Sequence, residues 1–214
     1  MTTRHALLTH YNATPCAEAG CDEAGRGCLA GAVFAAAVIL PPDFYDPRIR
    51  DSKKMTASRR QEMRVLIEST ALAWAVGVVE PGEIDRINIL NAAILAMHRA
   101  LDGLALAPEF VLVDGNRFRP YHRGGAQTTD PTPHATVVKG DDKYLAIAAA
   151  SILAKTHRDE YMEQIAQQHS EYAWERNMGY PTAAHRAAIA QHGITPFHRK
   201  RFNLLGDAQQ TTLW

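Results

Sequence analysis

The sequence lacks an apolar run long enough to cross a bilayer. Its longest, from Ala30 to Leu40, is far shorter than the roughly 20 residues that span a membrane. No apolar stretch of the kind found in signal peptides occurs in the first residues, MTTRHALLTH. We therefore expect a protein with neither a membrane segment nor an export signal.

Cysteine is also scarce. The three cysteines, Cys16, Cys21 and Cys28, are an odd number and form no C-x-x-C pair. This spacing excludes a disulfide framework and gives no support for a zinc knuckle. The expected compartment is the reducing cytoplasm.

An excess of charge of one sign is missing too. Lys and Arg number 23, as do Asp and Glu, so the formal net charge is zero. Neutrality alone argues against nucleic-acid binding, which usually needs a basic surface. With 46% hydrophobic and 21% charged residues, the composition is typical of a chain that folds around a core.

Strand and helix patterns alternate along the chain, which predicts an α/β domain with a central sheet. The alanines of the second strand also leave a helix possible there. We expect a catalytic domain over residues 1–168 and a helical extension over 169–214. The predicted strands are 16–22, 31–40, 72–79, 110–113 and 136–138, and the helices 56–70, 81–101, 144–168 and 182–192.

Four acidic residues lie where predicted strands end or a helix begins: Asp22, Glu23, Asp114 and Asp141. In an α/β sheet such positions converge on one rim, where ligands usually bind. Carboxylate oxygens suit Mg²⁺ or Mn²⁺. Two such ions about 4 Å apart can activate water for phosphodiester hydrolysis.

The glycines beside these acids allow a second interpretation. Gly25-x-Gly27-x-x-Ala30 matches the dinucleotide-binding fingerprint. That motif needs a helix after the loop, whereas the following residues have a strand pattern. Asp22 and Glu23 would also place negative charge beside the phosphates. A dinucleotide-dependent oxidoreductase is therefore the weaker alternative.

Over residues 16–202 the sequence resembles prokaryotic ribonuclease HII. The resemblance implies a ribonuclease H-like fold, with a central mixed β-sheet flanked by helices and a small C-terminal helical extension. It also implies an endonuclease that cuts the RNA strand of RNA–DNA hybrids and nicks duplex DNA 5′ to a single embedded ribonucleotide. The motifs that carry it are DEAGRGCLAGAV, DSKKM, EIDRINILNA, LVDGN, VVKGDDK, AAASILAKTHRDEYM and MGYPTAAH.

The same resemblance assigns roles to individual residues. Asp22, Glu23, Asp114 and Asp141 match the carboxylates that bind two Mn²⁺ or Mg²⁺ ions. Gly25, Arg26 and Gly27 match the loop that reads the ribose 2′-hydroxyl, and Tyr180 the tyrosine that stacks on the next sugar. Ser52 and Lys53 match a loop near the phosphates. One departure is Asn177-Met178, where the family commonly has His-Lys.

The implied partner is an RNA–DNA hybrid or ribonucleotide-containing duplex DNA, bound by a monomer. Two basic segments could grip its phosphates. Residues 47–67 hold seven basic and two acidic residues, and residues 181–206 hold four basic residues and no acidic one. His185, His192 and His198 show no metal-ligand spacing, and we expect them to be solvated.

Two other functions remain open from the sequence. A DNA-directed nuclease of the same fold would use the same acids on a different substrate. A hybrid-binding module that does not cut is less favoured, because a pure binder gains nothing from acids that face phosphates.

Overall fold

A computed structural model describes residues 6–14, 16–125 and 130–206. Its centre is a five-stranded sheet with the order β3-β2-β1-β4-β5, in which β1 pairs antiparallel with β2 and parallel with β4. The other two pairs are β2 with β3, antiparallel, and β4 with β5, parallel. The predicted mixed sheet is therefore confirmed. The strands are β1 Glu18–Ala24, β2 Val33–Ile39, β3 Ala73–Val79, β4 Phe110–Asp114 and β5 His134–Val137.

The segment over 31–40, for which a helix was possible, forms strand β2. All its residues are buried, because alternate side chains enter the cores on the two faces of the sheet. Val33, Ala35 and Ile39 face one core, and Ala36 and Val38 face the other. The alanines let helices approach this strand closely from both sides.

Helices cover both faces of the sheet: α3 packs on one face, and α1 and α4 pack on the other. No helix among the described residues is long and apolar enough to cross a membrane. The helices are α1 Ala57–Thr70, α2 Pro81–Ile87, α3 Ile89–Asp102, α4 Leu145–Gln168, α5 Trp174–Asn177 and α6 Ala183–His192.

The prediction of one helix over 81–101 is wrong. Asn88 has a φ of 66° and separates α2 from α3. Its side chain accepts a hydrogen bond from the backbone N–H of Asn91 at 3.1 Å and so caps α3. The apolar spacing continues through this break, which is why the periodicity did not reveal it.

Gly77 of β3 marks the closest approach between sheet and helix. A Cβ on Gly77 would lie 2.0 Å from the carbonyl oxygen of Ala96 in α3. We expect Gly77→Ala to lower the free energy of unfolding by about 3 kcal/mol, the upper part of the range for overpacking. Thermal unfolding measures the loss. Gly82→Ala is the control, because a Cβ there meets nothing within 4 Å; an equal Tm for both variants would contradict the close packing.

The residues after α4 pack back on the main body of the fold. Tyr172, Trp174 and Ile189 share a buried cluster with Leu29 and Met162. Main-chain hydrogen bonds join the two parts, among them one from Leu29 N–H to the Gly179 carbonyl at 2.7 Å. The predicted C-terminal helical extension is present up to residue 206. The domain boundary at 168/169 stays a prediction.

Candidate active site

Three parallel strands end at one edge of the sheet and bring the predicted acids there. Asp22 and Glu23 lie near the end of β1, Asp114 ends β4, and Asp141 follows β5 in the short 3-10 turn Gly140–Asp142. A cleft of about 220 Å³ opens at this edge. It is lined by Asp22, Glu23, Ala24, Gly25, Arg26, Gly27, Ser52, Lys53, Asp114, Ser151, Lys155 and Tyr180.

Asp22 is the most buried of the acids that line the cleft, with 4% of its surface exposed. Burial raises the pKa of Asp22 well above its usual range, and the carboxylates of Glu23 and Asp114 raise it further. A hydrogen bond from Ser151 partly opposes the rise in this pKa. A buried anion among other anions is stable only with compensating positive charge.

Glu23 has a cationic neighbour in the glycine loop. The Arg26 guanidinium lies 3.0 Å from Glu23 Oε1. Burial nevertheless raises the pKa of Glu23, against the lowering effect of Arg26. The Arg26 side chain is 52% exposed, so it contributes little stability as an ion pair and remains accessible to a ligand.

Asp114 is hydrogen-bonded to the turn that carries Asp141. Asp114 Oδ1 accepts a 2.7 Å hydrogen bond from the Gly140 N–H. Asp141 is buried beside the cleft, with its Oδ2 3.5 Å from Lys53 Nζ. Burial raises the pKa of Asp141, as do the charges of Asp51 and Asp114, whereas Lys53 lowers it.

The acids form an all-oxygen, mutually repulsive donor set. This chemistry fits a hard divalent cation, which offsets the repulsion that the Asp22 and Asp141 carboxylates meet. As the side chains stand, no three His, Cys, Asp or Glu groups within the described ranges converge closely enough to hold a metal ion. The structure therefore brings the predicted ligands to one edge without closing them into a ligand shell.

The loop that carries Ser52 and Lys53 is anchored to helix α4. Ser52 is buried, and its Oγ lies 2.9 Å from Ser151 Oγ. Arg60 holds the loop from the other side by donating to the carbonyls of Ser52 and Met55. Lys53 keeps 74% of its side chain exposed beside the acids. The carboxylates of Asp141 and its neighbours raise the pKa of Lys53 despite its desolvation, so it stays charged.

Tyr180 reaches the cleft from a turn that Asn177 holds in place. Asn177 Oδ1 accepts a 2.8 Å hydrogen bond from the Gly179 N–H, and its Nδ2 donates to the Tyr172 carbonyl at 2.7 Å. Tyr180 is 41% exposed. Asn177 is thus part of the support for the tyrosine.

The basic segments are less available to phosphates than their composition predicts. Arg199 is fully buried, where it donates to the carbonyls of Gly31 and Arg26, so the expectation that it grips phosphates is wrong. In the other segment, Arg48, Arg59, Arg60 and Arg64 each form an ion pair with a nearby carboxylate. The exposed cations at the cleft are Arg26 and Lys53.

Two histidines are buried, against the prediction that they are solvated. His185 is 0% and His198 1% exposed, whereas His192 is exposed. His185 Nδ1 donates to the Tyr180 carbonyl at 3.0 Å, and its Nε2 accepts from the Trp174 N–H at 2.9 Å. The acceptor role of His185 Nε2 requires the neutral ring, because both nitrogens of a protonated imidazole are donors.

His198 gives a prediction for stability at acid pH. Burial lowers the pKa of His198 to about 4, below the value of about 6.5 in an unfolded chain. Because the folded pKa is depressed, the unfolded chain binds the proton more tightly, and stability falls as pH drops from 6.5 through 4. We expect a loss of about 2 kcal/mol at pH 5.

Urea unfolding at pH 7 and pH 5 measures this loss against His198→Asn. His198 Nδ1 accepts a hydrogen bond from the Thr195 N–H at 2.9 Å. The side-chain oxygen of asparagine can accept the same bond, and asparagine does not titrate. The variant is expected to lose about 2 kcal/mol less than the wild type between the two pH values. Equal losses would show that His198 does not carry the effect.

The glycine loop does not support the dinucleotide interpretation. After Gly27 the chain turns and enters strand β2 at Val33, so no helix begins at the loop. A pyrophosphate would meet the side chains of Asp22 and Glu23 instead of helical N–H groups. The structure thus removes this alternative.

The sheet and its helices form a ribonuclease H-like fold, with an acidic cleft where the parallel strands end. The fold is that of the ribonuclease H2 from Pyrococcus horikoshii, with a TM-score of 0.72 at 23% identity, covering 88% of this chain and 94% of that one. The family model for ribonuclease HII matches residues 19–205, and the chain belongs to this family. It is therefore a metal-dependent endoribonuclease of the ribonuclease H type.

Sequence relatives agree with this membership. The ribonuclease HII of Bacteroides thetaiotaomicron is 58% identical over 203 residues, which cover 95% of this chain and 98% of the relative. Bst-RNase HIII, solved in complex with Mn²⁺, has a TM-score of 0.65 at 18% identity, covering 88% of this chain and 67% of that one. The resemblance to the family and the expected fold class are confirmed.

Proposed function

We propose that this enzyme cuts the RNA strand of RNA–DNA hybrids and nicks duplex DNA on the 5′ side of single embedded ribonucleotides. The observation that carries the proposal is one cleft lined by Asp22, Glu23 and Asp114 together with the Gly25–Gly27 loop and Tyr180. Acids able to hold metal ions and groups able to recognise a ribose thus lie around the same space.

Asp22, Glu23, Asp114 and Asp141 are the residues that would hold two Mg²⁺ or Mn²⁺ ions. In this assignment, Asp22 and Asp114 hold the first ion with Glu23, and Asp22 and Asp141 approach the second. When bound, such ions activate a water and stabilise the leaving oxygen, which yields 5′-phosphate and 3′-hydroxyl ends. The proposal draws support from the repulsion among the acids and from the Mn²⁺ complex of Bst-RNase HIII.

The other cleft residues are proposed to bind and orient the nucleic acid. A Cβ on Gly27 would meet nothing within 4 Å, so this backbone is open to close approach by a 2′-hydroxyl, the group that separates RNA from DNA. Arg26 belongs to this ribose-reading loop, and exposed Lys53 contacts a phosphate. Buried Ser52 lines the cleft and holds the loop of Lys53 against α4. The ring of Tyr180 packs on the sugar past the ribonucleotide.

A panel of three substrates tests the proposal in Mg²⁺ and in Mn²⁺: a duplex with one ribonucleotide, a continuous hybrid and an all-DNA junction. We expect cleavage of the first two, no cleavage of the junction, and loss of cleavage in EDTA. Efficient cutting of the junction would instead identify a DNA-directed nuclease. Binding of the hybrid without any cleavage would identify a binding module.

The remaining proposals concern the state of the enzyme. We propose that it acts as a monomer in the cytoplasm, with a catalytic domain over residues 1–168 and an extension over 169–214. Three cysteines, all free in the structure, are consistent with a reducing compartment. Sedimentation of the free enzyme measures its oligomeric state, and a dimer at working concentration would contradict the monomer.

A further inference from the structure

Arg158 of helix α4 is a buried cation whose hydrogen bonds go mainly to main-chain carbonyls. Only 1% of its surface is exposed. Its Nε donates to the Ala32 carbonyl at 3.1 Å, Nη2 to the Ala30 carbonyl at 3.2 Å, and Nη1 to the Met178 carbonyl at 3.0 Å. No carboxylate in the described part of the chain forms an ion pair with it. Burying such a charge is costly unless its donors are satisfied.

The three carbonyls belong to two different segments beside the cleft. Ala30 and Ala32 follow the Gly25–Gly27 loop, whereas Met178 lies just before Gly179 and Tyr180. Only a planar guanidinium presents several donors in fixed directions, so one side chain can hold both segments at a fixed separation.

Arg158 also lies directly behind the glycine loop. A Cβ on Gly25 would sit 2.0 Å from Arg158 Nε. The two segments also contact each other closely, because a Cβ on Gly179 would lie 2.5 Å from the Ala30 carbonyl oxygen. The two segments and the guanidinium are therefore tightly packed, with no room for an added methyl group at Gly25 or Gly179.

We propose that Arg158 is a positioning residue that sets the spacing between the Gly25–Gly27 loop and Tyr180, and thereby the relative rates on single ribonucleotides and continuous hybrids. This inference rests on the proposed function, which assigns ribose reading to the loop and the next sugar to Tyr180. The two substrates differ at that next sugar, a deoxyribose in one and a ribose in the other. A ring packs directly on the apolar C2′ of deoxyribose only when the spacing is tight.

The test compares initial cleavage rates on the two substrates for the wild type, Arg158→Lys and Arg158→Met. The ratio of the two rates does not depend on how much of the enzyme is folded. We expect the ratio of single-ribonucleotide to hybrid cleavage to fall at least fivefold in Arg158→Lys. It falls further in Arg158→Met, because lysine retains the charge and part of the hydrogen bonding.

Leu101→Ala is the control for a general loss of stability. Leu101 is fully buried in the core on the α3 face, away from the cleft. Its variant is expected to lower Tm and to leave the rate ratio at the wild-type value. If the wild type cuts both substrates and the Arg158 variants keep the wild-type rate ratio, the role of Arg158 is overturned and the proposed function is not. A wild type that cuts neither substrate would instead overturn the proposed function.

Gly179→Ala tests the spacing without altering Arg158. Its added Cβ presses on the Ala30 carbonyl, so it displaces the Tyr180 segment from the other side. We expect the same fall in the rate ratio. If the Arg158 variants do not fold, an unchanged ratio in Gly179→Ala overturns the proposal.

Discussion

Asp22→Asn is expected to reduce cleavage at a single ribonucleotide at least a thousandfold, a loss of about 4 kcal/mol in transition-state stabilisation. Asp22 lies between Glu23 and Asp114 and is assigned to both proposed metal ions. Replacing its carboxylate by a neutral amide removes the charge that attracts the cations and keeps the size of the side chain. Single-turnover rates in saturating Mn²⁺ measure the loss.

The same variant is expected to be more stable than the wild type in EDTA. Because the folded-state pKa of Asp22 is raised by burial and by its acidic neighbours, its ionisation at neutral pH costs folding free energy, which asparagine does not incur. Mn²⁺ raises the wild-type Tm by binding the folded state, and this rise is expected to shrink in the variant. If Asp22→Asn cleaved the substrate at the wild-type rate, the metal assignment would be wrong.

Asp142→Asn is the matched control for this substitution. Asp142 adjoins Asp141 in sequence, but it is partly exposed and pairs with Lys54 Nζ at 2.5 Å. We expect the cleavage rate to stay within about fivefold of the wild type, since removing an exposed ion pair changes free energies by at most about 1 kcal/mol. A large loss would place Asp142 among the metal ligands.

Gly25→Ala is expected to reduce cleavage of ribonucleotide-containing duplexes by about a hundredfold, or roughly 3 kcal/mol. Gly25 has a φ of 94°, a region that alanine rarely adopts. The new Cβ would also collide with the Arg158 guanidinium. Hydrogen bonds to main-chain carbonyls hold this guanidinium in place, so it cannot move aside. The loop must therefore move away from the ribose position. Steady-state rates on the single-ribonucleotide duplex give the loss.

Gly27→Ala separates this collision from contact with substrate. A Cβ on Gly27 meets nothing in the free protein, so its Tm is expected to equal the wild-type value, whereas Gly25→Ala lowers Tm. Activity falls in both variants, in Gly27→Ala because the Cβ would lie where the ribose approaches. Full activity of Gly25→Ala would contradict the role of the loop.

Much of the fold follows from the sequence, because short apolar segments of strand length alternate along the chain with longer segments of helical apolar spacing. The break at Asn88 does not, since it depends on one asparagine that adopts a left-handed backbone within an unbroken apolar pattern. The buried His185 and His198 could not be predicted either. Their burial depends on how the C-terminal segment packs against α4 and the residues before β2.

The placement of the four acids at one edge was predictable because parallel strands end together there, and the topology confirms the parallel strands. The roles of Tyr180 and Ser52 came from the family resemblance and stay predictions. Ser151 and Lys155 were missed, although both line the cleft. A serine within the small apolar run AIAAASILA, followed by a lysine one turn later, is the signal that could have found them.

Mapping the cut in a duplex with one ribonucleotide tests the central claim most directly. We predict a single nick on the 5′ side of the ribonucleotide in Mg²⁺ or Mn²⁺, leaving a 3′-hydroxyl and a 5′-phosphate, and no nick with Asp22→Asn. A cut on the 3′ side that leaves a cyclic phosphate would contradict the account, since that product arises from attack by the ribose hydroxyl instead of water. Cleavage that persists in EDTA would contradict it as well.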